Sequence, residues 1–192
     1  SDRFTAYNSL PTKRRQLCWA HIVRNLRGRA EAKGPWQEEA AALLALAEEV
    51  LVVWATYREG EVSHSAMKEQ LQVLQAAIRK RLEDNQHQTN YLGSLCSELV
   101  KHFCALWTFV DTEGVEPTNN AAERALRPAV LWRKGCYGTQ SESGSRFVER
   151  MHTVSATCQQ HDRPLLPYLV DAVGAYWAGQ PAPRLLPSTV TP

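Results

Sequence analysis

No Cys-x-x-Cys pair occurs in the 192 residues, and the five cysteines (Cys18, Cys96, Cys104, Cys136, Cys158) are odd in number and scattered. This argues against a disulfide framework and for reduced, intracellular thiols. No secretory leader is legible, and no apolar run reads as long enough to span a membrane. Excess charge is missing too: the formal net charge is +2, so bulk charge selects no partner. An initiating Met is absent, and the chain opens "SDRFTAYN", as if cut from something longer. Acid is absent locally. Between residues 11 and 30 stand Lys13, Arg14, Arg15, Arg24, Arg27 and Arg29 with no Asp or Glu, after which Glu38, Glu39, Glu48 and Glu49 turn the chain acidic. Such blocks are either solvated faces or a nucleic-acid footprint.

What is present is mostly helical pattern. The opening residues read as the exit from a strand into a loop. Residues 16–19 suit a short buried strand, and residues 20–29 a helix with Ile22, Val23 and Leu26 inward. Gly34-Pro35 breaks the chain. Three long amphipathic stretches follow, over residues 36–58, 65–83 and 91–110, and their short links predict an antiparallel bundle. No internal repeat is evident. Pro128 is expected to end or kink the next helix near Arg127. "GTQSESGS" reads as a polar loop, with Ser145 capping a helix to about Gln160. A last helix over residues 166–178 precedes a proline-rich tail.

The stretch "VEPTNNAAERALRPAVLWRK" carries the most chemistry. Asn120 with Glu123 three residues on is a capping-box pattern, and a glutamate in a first turn suits the helix dipole. Glu123 also reads as a ligand for a hard divalent cation, with Arg124, Arg127, Arg133 and Lys134 alongside to hold a phosphate backbone. One carboxylate is not a metal site. Asp2, where a strand would be ending, is the candidate second. Cys18 and His21 at Cys-x-x-His spacing would supply two zinc ligands, but no second pair completes such a site. Trp132 suits base stacking or packing, and Arg146 and Arg150 suit surface charge or phosphate contacts.

Together "SDRFTAYN", "RQLCWAHIVR", "EGVEPTNNAAERALRPAVLWRKGCYGTQSESGSRFVERM" and "PRLLP" resemble the DDE transposases of insertion-sequence family 66. The resemblance spans nearly the whole chain and is weakest over residues 33–108. It implies an α/β ribonuclease-H-like (retroviral-integrase-like) catalytic fold, truncated at the N-terminus and interrupted by a large all-α insertion, with this part mostly helical. The implied division is residues 1–32 as the second half of the catalytic core, 33–110 as the insertion, 111–178 as the part bearing the Glu helix, and 179–192 as tail. Asp2 and Glu123 match catalytic metal ligands, and His21 a residue supporting the site. The first catalytic Asp would lie upstream of Ser1, so this part is expected to be the C-terminal fragment of the enzyme and inactive without the missing upstream part.

The implied cofactor is a pair of Mg²⁺ ions, with Mn²⁺ as a substitute. Asn119, Asn120, Arg124, Arg127, Arg133, Lys134, Arg146 and Arg150 would contact transposon-end and target DNA, and a homodimer or larger assembly on DNA is expected. The implied location is the bacterial cytoplasm, at the nucleoid. Beside this enzyme stand two further readings: a non-catalytic DNA-binding or regulatory remnant of a mobile element, and a helical interaction protein with no nucleic-acid role.

Overall fold

A computed structural model describes residues 9–186. It forms two compact units, one running through Asn120 and the other starting at Ala121.

The first unit is a helical bundle. Its helices are α1 (Trp19–Glu31), α2 (Gln37–Arg58), α3 (His64–Asn85), α4 (Gly93–Lys101) and the short α5 (Thr108–Asp111), with 3-10 turns at Thr12–Arg14 and Phe103–Leu106. Packing runs in sequence, α1 on α2, α2 on α3 and α3 on α4. The α3 pattern Met67, Leu71, Leu74, Ile78 and Leu82 is buried throughout, as its 3.6-residue period requires. Ser63 caps α3 by accepting the Ala66 N–H at 3.2 Å. At the end of α2, Gly60 takes φ 80°, which lets the chain turn back as the Glu61 N–H reaches the Thr56 carbonyl at 3.0 Å. Gly93 is fixed by a close approach, since a Cβ there would collide with the Gln88 carbonyl.

Arg29 is buried but satisfied. Its Nε donates to the Tyr91 carbonyl at 2.8 Å, Nη1 donates to the Asn25 carbonyl at 3.0 Å, and the guanidinium lies 4.2 Å from the centre of the Tyr91 ring. Burial pushes the Cys96 thiol up to about 11, so it stays protonated and acts as a small apolar side chain.

The second unit contains α6 (Asn120–Cys136), α7 (Glu142–Gln160) and α8 (Leu165–Trp177), α6 starting one residue before the boundary. Here α7 packs on α8 and Cys158 and Tyr168 are buried. Arg163 lies over the Tyr168 ring at 4.6 Å and donates to the Arg184 carbonyl at 2.6 Å, tying the segment after α8 back to its start.

Several expectations need correction. The α/β ribonuclease-H-like fold is not what the structure shows, because no strand occurs among the described residues. Residues 16–18 are not helical, but the Leu17 N–H bonds to the Ala105 carbonyl at 2.7 Å in the 3-10 turn rather than to a neighbouring strand. Trp19 already begins α1. The helix expected over residues 91–110 is split into α4, the 3-10 turn at Phe103–Leu106 and α5, and residues 16–19 take hydrogen-bonding groups at the break between the last two. Leu106 O accepts from Trp19 Nε1 at 2.8 Å and from Gln16 Nε2 at 3.0 Å. Pro128 lies inside α6 and does not end it. Ser141, not Ser145, caps α7, accepting the Gly144 N–H at 3.1 Å. By length and composition α2 is apolar enough to cross a membrane, contrary to expectation, though Ala40, Leu43, Ala47, Val50 and Val53 are buried within the bundle.

Candidate nucleic-acid interface

The segment that leads into α6 is anchored to the start of α1. The Trp19 N–H donates to the Pro117 carbonyl at 2.9 Å, and the Asn119 N–H donates to Cys18 Sγ at 3.4 Å. Pro117, Cys18 and Trp19 are all buried. Cys18 is therefore held as an acceptor inside the fold, which a zinc-ligand reading of the Cys-x-x-His spacing does not suggest. His21 is half-buried one turn along α1, and its carbonyl accepts from Asn25 Nδ2 at 2.6 Å. The Asn119 Oδ1 is buried without a hydrogen-bond partner. Two of the expected site residues, His21 and Asn119, are thus brought into one neighbourhood through Cys18. Asp2 lies outside the described residues.

Glu123 is exposed in the first turn of α6. Helical spacing puts Asn120, Glu123, Arg127 and Lys134 on one face, with Arg124 beside it and Arg133 on a flank. All six are exposed. The opposite side of α6 is marked by half-buried Ala129 and Trp132, and Trp132 meets His152 of α7 edge-on at 6.1 Å and 82°. Trp132 therefore contacts α7, while the charged residues are exposed, as are Leu126 and Leu131 of the same helix. The sequence of charge along that face is one carboxylate followed by cations.

On α7, Arg146 is exposed and pairs with Glu142 at 3.0 Å, while Arg150 is exposed one turn further on. The two line a shallow hollow of about 330 Å³ with Glu149, Thr153 and Val154. An exposed pair of this kind contributes little to stability and leaves the guanidinium available to a phosphate.

The basic block of residues 11–30 is partly consumed by the fold. Arg15 and Arg29 are buried, and Arg27 pairs with Glu48 at 2.6 Å. Lys13, Arg14 and Arg24 are exposed. Nearby, burial, reinforced by Arg15 and Lys101, pushes the His102 pKa below its ordinary value and favours the neutral ring.

A family model described as "Transposase IS66 family" matches residues 1–146, and the chain belongs to that family. Comparisons with curated proteins and with solved structures give no match. Membership carries a function in transposition and the handling of DNA; the matched span includes α1 to α6 and the first turn of α7.

Proposed function

We propose that this chain is the catalytic segment of a DDE transposase that performs metal-dependent phosphodiester cleavage and strand transfer at transposon ends. One observation carries the reading: Glu123, Arg127 and Lys134 share one exposed face of α6. Arg124, Arg133, Arg146 and Arg150 extend the positive charge, and Asn119 and Asn120 hold the entry to that helix. In this reading the cations offset backbone phosphates. Asp2 and Glu123 supply carboxylate oxygens, and His21 supports the site from α1. Two copies pair the two transposon ends.

Hard carboxylate oxygen is the right donor for Mg²⁺. With the metal bound, such a set supplies Lewis-acid stabilisation of an in-line phosphoryl transfer. The described residues do not complete that set by themselves: no group of three His, Cys, Asp or Glu side chains placed to hold a metal occurs among them. The second reading is a DNA-binding or regulatory remnant that uses the basic residues alone. A Mn²⁺ titration followed by electron paramagnetic resonance separates the two. The enzyme reading expects saturable Mn²⁺ binding that Asp2→Asn and Glu123→Gln each weaken by about tenfold, the loss of one ligand carboxylate. Binding untouched by both substitutions returns Glu123 to the role of a helix-capping residue.

A further inference from the structure

The first unit contains a cavity whose lining includes none of the residues assigned above to DNA. Its volume is about 310 Å³, and it is lined by Trp54 and Tyr57 of α2, His64 at the start of α3, Phe109 and Asp111 of α5, and Glu113, together with the chain from Thr112 to Val115. This lies at the lower end of the size of small-ligand sites, about 300–1,000 Å³.

The walls are aromatic. Trp54 meets Phe109 edge-on with ring centres 5.5 Å apart, Tyr57 lies 5.5 Å from Trp54, and Tyr57 meets His64 at 5.6 Å. Phe109 is buried, whereas Trp54 and Tyr57 are only half-buried and keep surface open to the cavity. His64 Nε2 donates to the Val110 carbonyl at 3.0 Å, which fixes the ring at the mouth of the cavity.

Two carboxylates, Asp111 and Glu113, are in the lining. Asp111 is engaged by Lys68 at 2.6 Å, but Glu113 is exposed and has no ion-pair partner among the described residues. Glu59 and Glu61, just past the end of α2, are exposed as well. Gly114 has φ 77°, and no atom lies within 4 Å of where its Cβ would be, so the turn bearing Glu113 stands clear beside the opening. Carboxylates here repel a DNA phosphate. Aromatic faces and a free carboxylate together attract a cation, and a planar guanidinium satisfies both by stacking on a ring while bonding the carboxylate through paired N–H groups.

We propose that this cavity receives an arginine side chain presented by a basic segment of a partner protein. The site is independent of the α6 face, so it stands or falls separately from the catalytic reading.

The test is a titration of the purified chain with N-acetyl-arginine amide, monitored through tryptophan indole N–H resonances. The Trp54 signal is identified by its loss in Trp54→Phe. The expected result is a saturable shift of the Trp54 signal in the millimolar range. Glu113→Gln, an exposed substitution that leaves the core intact, weakens binding by roughly threefold. N-acetyl-norleucine amide gives no such shift. Absence of a Trp54 response to the arginine probe overturns the proposal. So does a response that norleucine reproduces or that Glu113→Gln leaves unchanged. A Trp54 response to a deoxynucleoside monophosphate in place of arginine overturns it in favour of a nucleobase pocket.

Discussion

Glu123→Gln in the full-length transposase is expected to reduce Mg²⁺-dependent cleavage of transposon-end DNA by about 10³-fold or more, the loss of several kcal/mol of metal-borne transition-state stabilisation. DNA affinity is expected to stay within about twofold, because the substitution removes an anion and leaves every phosphate-binding cation in place. The fold is also expected to survive. Glu123 is exposed, and the amide is nearly isosteric with the carboxylate. Weakened interaction with the helix dipole costs only about 0.3–1 kcal/mol. If Glu123 only caps α6, the same experiment gives the reverse pattern: a small drop in melting temperature and unchanged cleavage. Cleavage rates, binding and thermal melts of the same two proteins decide between these roles.

The second large effect concerns stability. Trp19→Ala is expected to destabilise the first unit by about 3–5 kcal/mol, the usual cost of deleting a fully buried large aromatic side chain. Trp19 is 1% exposed. It meets Trp107 edge-on at 5.2 Å, and its Nε1 donates to the Leu106 carbonyl at 2.8 Å. A loss of this size takes a large share of the total stability of a typical domain, about 5–15 kcal/mol. Trp19→Phe is milder, at roughly 1–2 kcal/mol. It preserves ring volume in part, and Gln16 Nε2 still supplies the Leu106 carbonyl with a donor at 3.0 Å. Urea unfolding of the three proteins measures both differences. A Trp19→Ala loss below about 1 kcal/mol would contradict the placement of this side chain at the centre of the core.

The bundle was legible because burial has a period. Met67 to Leu82 on α3 and Ala40 to Val53 on α2 recur every three or four residues, and no other regular structure hides such a pattern. The errors arose where a distant residue decides a local question. Residues 105 and 106 are as apolar as the helix before them, yet their carbonyls serve Leu17, Gln16 and Trp19, and the Phe109 N–H goes to Gln16 Oε1, so no continuous helix runs into α5. Residues 16–19 have too short a run to separate strand from buried turn. Pro128 stays inside α6 at an exposed position, where water can serve the carbonyl that the missing N–H leaves without a partner. Within "GTQSESGS" several serines are competent caps, and composition does not choose among them.

The candidate site was legible to a different extent at each residue. The basic face of α6 follows from helical spacing. The catalytic reading of Glu123 comes from resemblance, since spacing alone favours a capping box. The bond between the Asn119 N–H and Cys18 Sγ joins residues 101 apart in the chain, a distance over which no local pattern carries information. The same holds for the aromatic cavity, whose walls come from α2, α3 and α5.

The most direct measurement is the salt dependence of duplex DNA binding by the purified chain, read by fluorescence anisotropy for the native protein and for the double variant Arg127→Gln, Lys134→Gln. If the exposed face of α6 holds DNA phosphates, affinity falls steeply with salt, and the double variant binds more weakly with a log–log slope shallower by about two, roughly one per lost phosphate contact. Binding that ignores salt, or the same slope and affinity in both proteins, would contradict the assignment of that face to DNA.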